Sequence, residues 1–277
     1  MSVILGLDIG GSTTKIVGLR PDSSVIAMHR VQAQDPITSL YGALGNFLFS
    51  HNLQLSDVER IALTGVGASY VDGSIYGIST EKVEEFTAVG TGGLALSGLE
   101  KAVVVSMGTG TAFIWAEQGR AVRHLCGSGV GGGTLAGLCS RLCGTRQYDQ
   151  VVKLAESGDV GRVDLTVGDI TRNSHPSLPL DITAANFGNV EDDATAGDFA
   201  SGVINMILQS IGTMAVLACR ACGCDKVVLT GFMSNLPQTA ETCTLFKRLH
   251  GVDFVIPENA TFATSIGAAL CSVNKSI

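Results

Sequence analysis

Apolar residues along this chain fall into short runs and into helical stripes. The runs at residues 3–7, 61–64, 102–106 and 226–230 each lead into a glycine-bearing segment, and such runs bounded by turn signals predict buried strands. Asp35-Pro36 offers a helix N-cap followed by proline at the first helical position, and Ile37, Leu40, Tyr41, Leu44 and Leu48 supply the stripe behind it. Further helices are expected at 81–96, at 134–143 where Gly144 stops it, and at 148–156 with Val151, Val152 and Ala155 inward. Residues 194–221 are apolar on every side, which predicts a central helix packed all round. A turn at 231–235 leads into a helix reaching 249, a last strand falls at 254–256, and a closing helix at 263–273. Residues 69–80 are glycine-rich, and 159–193 are polar with Pro176 and Pro179. Both read mainly as loop.

One order of elements occurs twice. Strand 3–7, a Gly10-Gly11 turn, a strand from residue 12 to 19, the Pro21 to Ser24 turn and a strand at 25–31 form the first set. Strand 102–106, the turn Met107-Gly-Thr-Gly-Thr111, strand 112–116, the Gln118-Gly119 turn and a strand to 125 form the second. Gly10 then corresponds to Gly108, and Asp8 to Ser106. The repeat predicts an α/β protein of two similar lobes, residues 1–97 and 98–277, with the closing helix packing back on the first.

At 277 residues the chain can bury a sizeable core, and with 45% hydrophobic and 16% charged residues it reads as a folded globular protein. The net charge of −7 comes with no basic patch, which argues against a nucleic-acid partner. An anionic ligand would have to be held by a few local cations and N–H groups. The chain opens without a charged and apolar leader, and no apolar run reads as long enough to span a membrane, so a cytoplasmic protein is expected. The eight cysteines fit free thiols in a reducing compartment.

The candidate chemistry sits at the glycine turns. Asp8 ends the first strand, where a carboxylate can hold a hydrated Mg²⁺, and Lys15 can reach a phosphate oxygen. Gly10, Gly11, Ser12 and Thr13 bring N–H and hydroxyl groups close to a polyanion. Gly108, Thr109, Gly110 and Thr111 repeat the device. The loop Cys126-Gly-Ser-Gly-Val-Gly-Gly-Gly133 runs into Thr134 at a helix start, where free N–H groups and the helix dipole favour an anion. A glycine run can also be a plain connector, but its length and its place after the second hairpin favour phosphate. Glu84 and Glu85 near a helix start are candidates for a proton acceptor, and the residues alone do not separate them from acids favoured at any helix N-terminus.

Asp8-Ile-Gly-Gly-Ser-Thr-Thr-Lys15, Glu85-Phe-x-Ala88, Met107-Gly-Thr-Gly-Thr111, Gly127-x-Gly-x-Gly-Gly-Gly133, Leu180-Asp-Ile-Thr-Ala-Ala-Asn-Phe-Gly188 and the Leu229-Thr-Gly231 turn together resemble the type II pantothenate kinases, within the two-lobed actin-like ATPase superfold, a duplicated ribonuclease H-like unit shared with hexokinase and the heat-shock ATPases. The resemblance implies ATP-dependent phosphorylation of the primary hydroxyl of pantothenate, the first step of coenzyme A biosynthesis, with Mg²⁺ and a homodimer. It implies Glu85 as the base and places Tyr148 and Gly231 beside the nucleotide. It calls for a substrate-anchoring arginine where this chain has His124, so Arg123 and His124 are both candidates for the pantothenate carboxylate. Asp181, Thr183, Asn186 and Phe187 lie in the most specific motif, where bracing is the expected role.

Cys219-x-x-Cys222-x-Cys224 admits a competing reading, an iron–sulfur ATPase activator of a 2-hydroxyacyl-CoA dehydratase. The spacing is not that of a standard zinc pair, and buried thiols at the end of an apolar helix account for it more simply. A non-catalytic nucleotide or coenzyme A binder is a third reading, against which Asp8, Lys15 and Glu85 speak.

Overall fold

The computed structural model describes residues 2–11, 13–32, 35–173 and 179–273, so Ser12 and Pro176 lie outside the described residues. The first half consists of β1 (Val3–Ile9), β2 (Thr13–Leu19), β3 (Val25–Gln32), α1 (Pro36–Ser50), β4 (Val58–Thr64), β5 (Ser79–Lys82) and α2 (Glu85–Ser97). The second consists of β6 (Lys101–Met107), β7 (Thr111–Glu117), β8 (Arg123–Ser128), α3 (Gly132–Leu142), α4 (Tyr148–Glu156), β9 (Leu165–Thr166), α5 (Val167–Ile170), β10 (Thr183–Ala185), α6 (Ala196–Cys222), β11 (Lys226–Thr230), α7 (Pro237–His250), β12 (Asp253–Val255) and α8 (Ala263–Val273).

Two five-stranded sheets share one topology, β3-β2-β1-β4-β5 and β8-β7-β6-β11-β12, each an antiparallel meander extended by two parallel strands. The register carries the repeat down to single residues. Asp8 pairs with Thr64 across β1 and β4, and Ser106 with Thr230 across β6 and β11. Beyond those threonines stand Gly65 (φ 83°, ψ 167°) and Gly231 (φ 87°, ψ 178°), each opening a 3₁₀ turn, at Val66–Tyr70 and Phe232–Asn235. That backbone conformation is open in practice to glycine alone, so Leu63-Thr-Gly65 and Leu229-Thr-Gly231 are twin motifs. The sequence reading used only the second.

Each half lends its last helix to the middle. α2 packs on β6, β7 and β11 through Val89 and Leu94, while α8 packs on β1, β2 and β4 through Ile266 and Ala269. The two helices also pack on one another.

Local chemistry sets the element ends. Asp35 caps α1 by accepting from the Thr38 N–H at 2.6 Å, with Pro36 in the first turn as expected. The buried face of α1 is Leu40, Ala43, Leu44 and Phe47, each large side chain contributing about 1.5–3 kcal/mol by burial. Ile37 and Tyr41 from the expected stripe are half-exposed instead, and Tyr41 meets Tyr76 edge-on. The helix expected from residue 81 begins at Glu85. Residues 79–82 pair as a parallel edge strand with Arg60 to Leu63, a tertiary partner that local periodicity does not reveal. α3 likewise starts at Gly132, two residues before Thr134.

One expectation is corrected outright. α6 is long and apolar enough to cross a membrane by length and composition. It runs instead through the core of the second half, with Val203, Ile204, Ile207, Ile211 and Ala215 buried against β6, β7, α3, α4 and α7. Thr195 caps it through the Asp198 N–H, and Gly223 closes it in the left-handed region.

Candidate active site

At the end of β1, Asp8 is buried and accepts from Lys15 Nζ at 3.2 Å. The two are register partners, so Asp8, Lys15 and Arg30 form one row across β1, β2 and β3, continued by Thr64 on β4. The Gly10 N–H donates to the Thr13 carbonyl at 3.0 Å and closes the first turn. Gly11 is exposed, with open space where a side chain would be. Thr64 is buried, and its hydroxyl has no hydrogen-bond partner among the described residues, whereas its twin Thr230 donates to the Val105 carbonyl at 3.2 Å.

α2 separates the two glutamates that the sequence leaves level. Glu84 is the N-cap: its carboxylate accepts from the Phe86 N–H at 3.0 Å and from the Thr87 N–H at 2.7 Å. The helix end therefore engages Glu84 and leaves Glu85 free of any such bond. Glu85 touches solvent, yet desolvation by surrounding protein lifts its pKa above the ordinary carboxylate value; the charges of Asp8 and Glu84 lift it further, and Lys15 opposes them. Glu85 thus lies within electrostatic reach of the Asp8–Lys15 pair.

The second hairpin carries no acid, because Ser106 stands where the first has Asp8. Its turn is tied by the Gly108 N–H to the Gly110 carbonyl at 2.9 Å, leaving Gly108 and Thr109 exposed. The glycine-rich loop docks on this turn. Gly132 and Gly133 N–H groups donate to the Gly108 and Thr109 carbonyls, both at 2.9 Å, and Thr111 Oγ1 donates to the Val130 carbonyl at 2.8 Å. A Cβ on Gly131 would stand 2.8 Å from the Thr109 carbonyl oxygen. These glycines thus let two backbones meet, and two N–H groups read from sequence as a free cradle are engaged within the protein. Thr134 Oγ1 bridges the loop, donating to the Gly129 carbonyl at 2.9 Å.

Tyr148, at the start of α4, packs on Phe232 beside Gly231 with ring centroids 4.2 Å apart. Its hydroxyl is buried without a hydrogen-bond partner among the described residues, and burial pushes its pKa up to about 12. Arg30 reaches from β3 to lie over the Phe232 ring, 4.7 Å from its centroid.

Arg123 and His124 part company. His124 stacks on Phe86, the residue after Glu85, with centroids 4.2 Å apart and planes 10° apart. Arg123, its neighbour on the strand, points the other way and donates to Cys222 Sγ at 3.7 Å. The structure brings His124 to the Glu85 end of α2 and takes Arg123 away from it.

The Thr183 to Gly188 motif surrounds a residue the sequence reading did not single out. Asp164 is buried and accepts from the Phe187 N–H at 2.9 Å, Asn186 Nδ2 at 3.0 Å, Asn205 Nδ2 at 2.7 Å and Thr183 Oγ1 at 3.4 Å. Phe187 sits at φ 55°, rare for a bulky residue, and the Asp164 bond fixes it there. Asp181 stands apart, accepting from Arg248 at 3.0 Å. No sequence spacing signals this hub, because its donors come from three separate elements.

Among the described residues no group of three or more His, Cys, Asp or Glu side chains is arranged to hold a metal. Cys219 is buried with its Sγ 3.9 Å from that of Cys224, while Cys222 faces Arg123.

The duplicated sheets, crossing helices and paired hairpins define the two-lobed fold of the actin-like ATPases. The fold matches an activator of 2-hydroxyisocaproyl-CoA dehydratase from Clostridium difficile with bound ADPNP (TM-score 0.70, 13% identity, 99% of this chain and 95% of that one). It also matches a ROK family glucokinase from Streptomyces griseus in complex with glucose and AMPPNP (TM-score 0.62, 13% identity, 98% and 99%). Within that class residues 101–252, more than half of the chain, match the family described as Fumble, and the chain belongs to that family. It is 29% identical over 274 residues to the type II pantothenate kinase of Staphylococcus epidermidis (strain ATCC 12228 / FDA PCI 1200), covering 95% of this chain and 98% of the relative.

Proposed function

We propose that this chain is a pantothenate kinase, transferring the γ-phosphoryl group of ATP to the primary hydroxyl of pantothenate to give 4'-phosphopantothenate and ADP, the first step of coenzyme A biosynthesis. The observation that carries the reading is Glu85, freed by the Glu84 cap and within electrostatic reach of the Asp8–Lys15 pair, in a chain of the Fumble family. Phosphoryl transfer asks a protein for alignment, charge neutralisation and a proton acceptor, and little covalent chemistry. Glu85 accepts the hydroxyl proton as that oxygen bonds to phosphorus and the bond from phosphorus to the ADP oxygen breaks. Lys15 neutralises phosphate charge. The turns from Gly10 to Thr13 and from Gly108 to Thr111 hold the phosphates from the two lobes, residues 1–97 and 98–277. Thr134, with Gly131, Gly132 and Gly133 behind it, supports the second turn, and Tyr148 and Gly231 flank the nucleotide.

Asp8 is suited to a hydrated Mg²⁺ brought in with ATP. That ion needs only one or two carboxylates besides phosphate and water, and the unpartnered Thr64 hydroxyl in the same row suits a metal-bound water. When bound, the ion supplies positive charge to the phosphates. His124, held on Phe86 at the Glu85 end of α2, is the proposed partner of the pantothenate carboxylate. A cytoplasmic homodimer is the proposed working form. The dehydratase-activator reading rests on likeness of fold alone, and three thiols that do not gather into a ligand set give it no support.

Coupled ADP release with pantothenate, pantetheine and N-acetylglucosamine as acceptors, with and without Mg²⁺, tests the reading. Mg²⁺-dependent ADP release with pantothenate is the expected result. Release with the sugar alone, or with none of the three, overturns it.

A further inference from the structure

Arg30 is the one residue of the Asp8 row that the reading above leaves without a role. It lies beside Lys15 in the β2–β3 register, and its side chain therefore leaves the same face of the sheet as those of Lys15 and Asp8. Cα atoms paired in this way are about 5 Å apart, so the long guanidinium arm covers ground adjacent to that of the Lys15 ammonium. Arg30 is solvent-exposed, and among the described residues it forms no ion pair. Other arginines are tied down: Arg162 by Glu191, Asp193 and Asp198, and Arg248 by Asp181. Arg30 instead crosses to the second half of the molecule and lies 4.7 Å from the centroid of Phe232. Phe232 follows Gly231 and packs on Tyr148, whose hydroxyl feels the Arg30 charge. The residue after Phe232, Met233, flanks Gly132 at the start of α3.

The guanidinium thus stands between two parts of the proposed nucleotide site: the Asp8–Lys15 row of the first sheet on one side, the aromatic pair beside Gly231 on the other. Its hold on the ring is the face of an aromatic quadrupole, which leaves its N–H groups free for oxygen acceptors. A planar fork of donors with no carboxylate partner suits phosphate oxygens.

We propose that Arg30 is a nucleotide-binding residue, a second cation beside Lys15 that contacts the phosphate chain of ATP while bridging the two halves over Phe232. This rests on the kinase reading, and it goes further by giving β3 a share in the nucleotide site. The twin strand β8 has His124 and Arg123 near its start and Ser128 at its end, with no cation at the position matching Arg30, so the duplicated half offers no substitute.

The test compares wild type with Arg30→Ala, Arg30→Gln and Arg30→Lys, all at an exposed position. Kinetics with ATP and pantothenate are paired with direct calorimetric binding of AMPPNP at two salt concentrations. Arg30→Ala is expected to weaken AMPPNP binding and raise KM for ATP about tenfold, the size of one charge-assisted hydrogen bond, with KM for pantothenate unchanged within about twofold. Arg30→Lys recovers part of the loss, Arg30→Gln does not, and the wild-type advantage shrinks as salt rises. Equal AMPPNP affinity in wild type and Arg30→Ala overturns the proposal. So does a loss that Arg30→Lys leaves in full, or that falls alike on ATP and pantothenate, since either marks a structural strut. A wild-type protein that binds AMPPNP but phosphorylates no acceptor defeats the kinase reading alone, and the binding comparison still decides the role of Arg30.

Discussion

Gly92 of α2 and Gly267 of α8 lock the two halves together by a reciprocal contact. A Cβ on Gly92 would fall 1.8 Å from the Ala263 carbonyl oxygen, and one on Gly267 would fall 1.8 Å from the Ala88 carbonyl oxygen. Each glycine follows its alanine by four residues, so the same small-residue step on both helices brings backbone against backbone where they cross.

That contact has no room for a methyl group. Gly267→Ala is expected to destabilise the protein by about 3 kcal/mol or more, at or beyond the upper end of ordinary overpacking, measured by urea unfolding. Gly42→Ala on the exposed face of α1, where a Cβ meets nothing within 4 Å, should instead stabilise it by up to about 1 kcal/mol. Equal effects at the two sites would refute the packing account.

The two adjacent glutamates should fail in different ways. Glu85→Gln is expected to lower kcat by roughly 10²–10⁴-fold, the usual contribution of a general base, with thermal unfolding little changed. Glu84→Ala removes the α2 cap and should cost about 1 kcal/mol of stability. A Glu85→Gln enzyme that turns over like wild type would remove Glu85 from the mechanism.

The pH profile follows from the same site. Desolvation and the neighbouring Asp8 and Glu84 charges raise the Glu85 pKa above that of an ordinary glutamate, so the base is protonated, and inactive, up to a higher pH than an ordinary glutamate would be. The acid limb of kcat/KM should therefore lie above the pKa of an ordinary glutamate, with activity falling as pH drops through it. An acid limb at or below that value would contradict the placement.

Asp164 should matter to folding and not to chemistry. Asp164→Ala leaves the Phe187 N–H and the Asn186 and Asn205 amides without their acceptor and is expected to cost about 3–5 kcal/mol, read from the unfolding midpoint. At a temperature where the variant stays folded, KM for ATP should match wild type. A change in KM without loss of stability would make the motif a ligand wall instead of a brace.

Much of this was written in the chain itself. Runs of apolar residues ending at Asp8, Thr64, Ser106 and Thr230 fix the inner strands, because four or five consecutive apolar residues can be satisfied only between two covered faces. The Asp35-Pro36 start of α1 is equally local, since a cap and a ring-fixed φ act within one turn. The repeated order of strands around glycine turns declared the duplication of the two sheets for the same reason, since each strand and turn signal is local.

Contacts between distant segments were decided only by the fold. β5 is a strand because β4 lies beside it, and residues 81 and 82 within it had read as a helix start. The roles of Glu84 and Glu85 separate only once the helix begins between them and one carboxylate turns back onto its N–H groups. Asp164 draws its donors from β10, the residues just after it and α6, and Arg30 meets Phe232 across two hundred residues of chain. A sequence states the donors and acceptors that each residue carries; which of them meet is set by packing, where the desolvation of a buried charge must be answered by whichever groups the fold brings near.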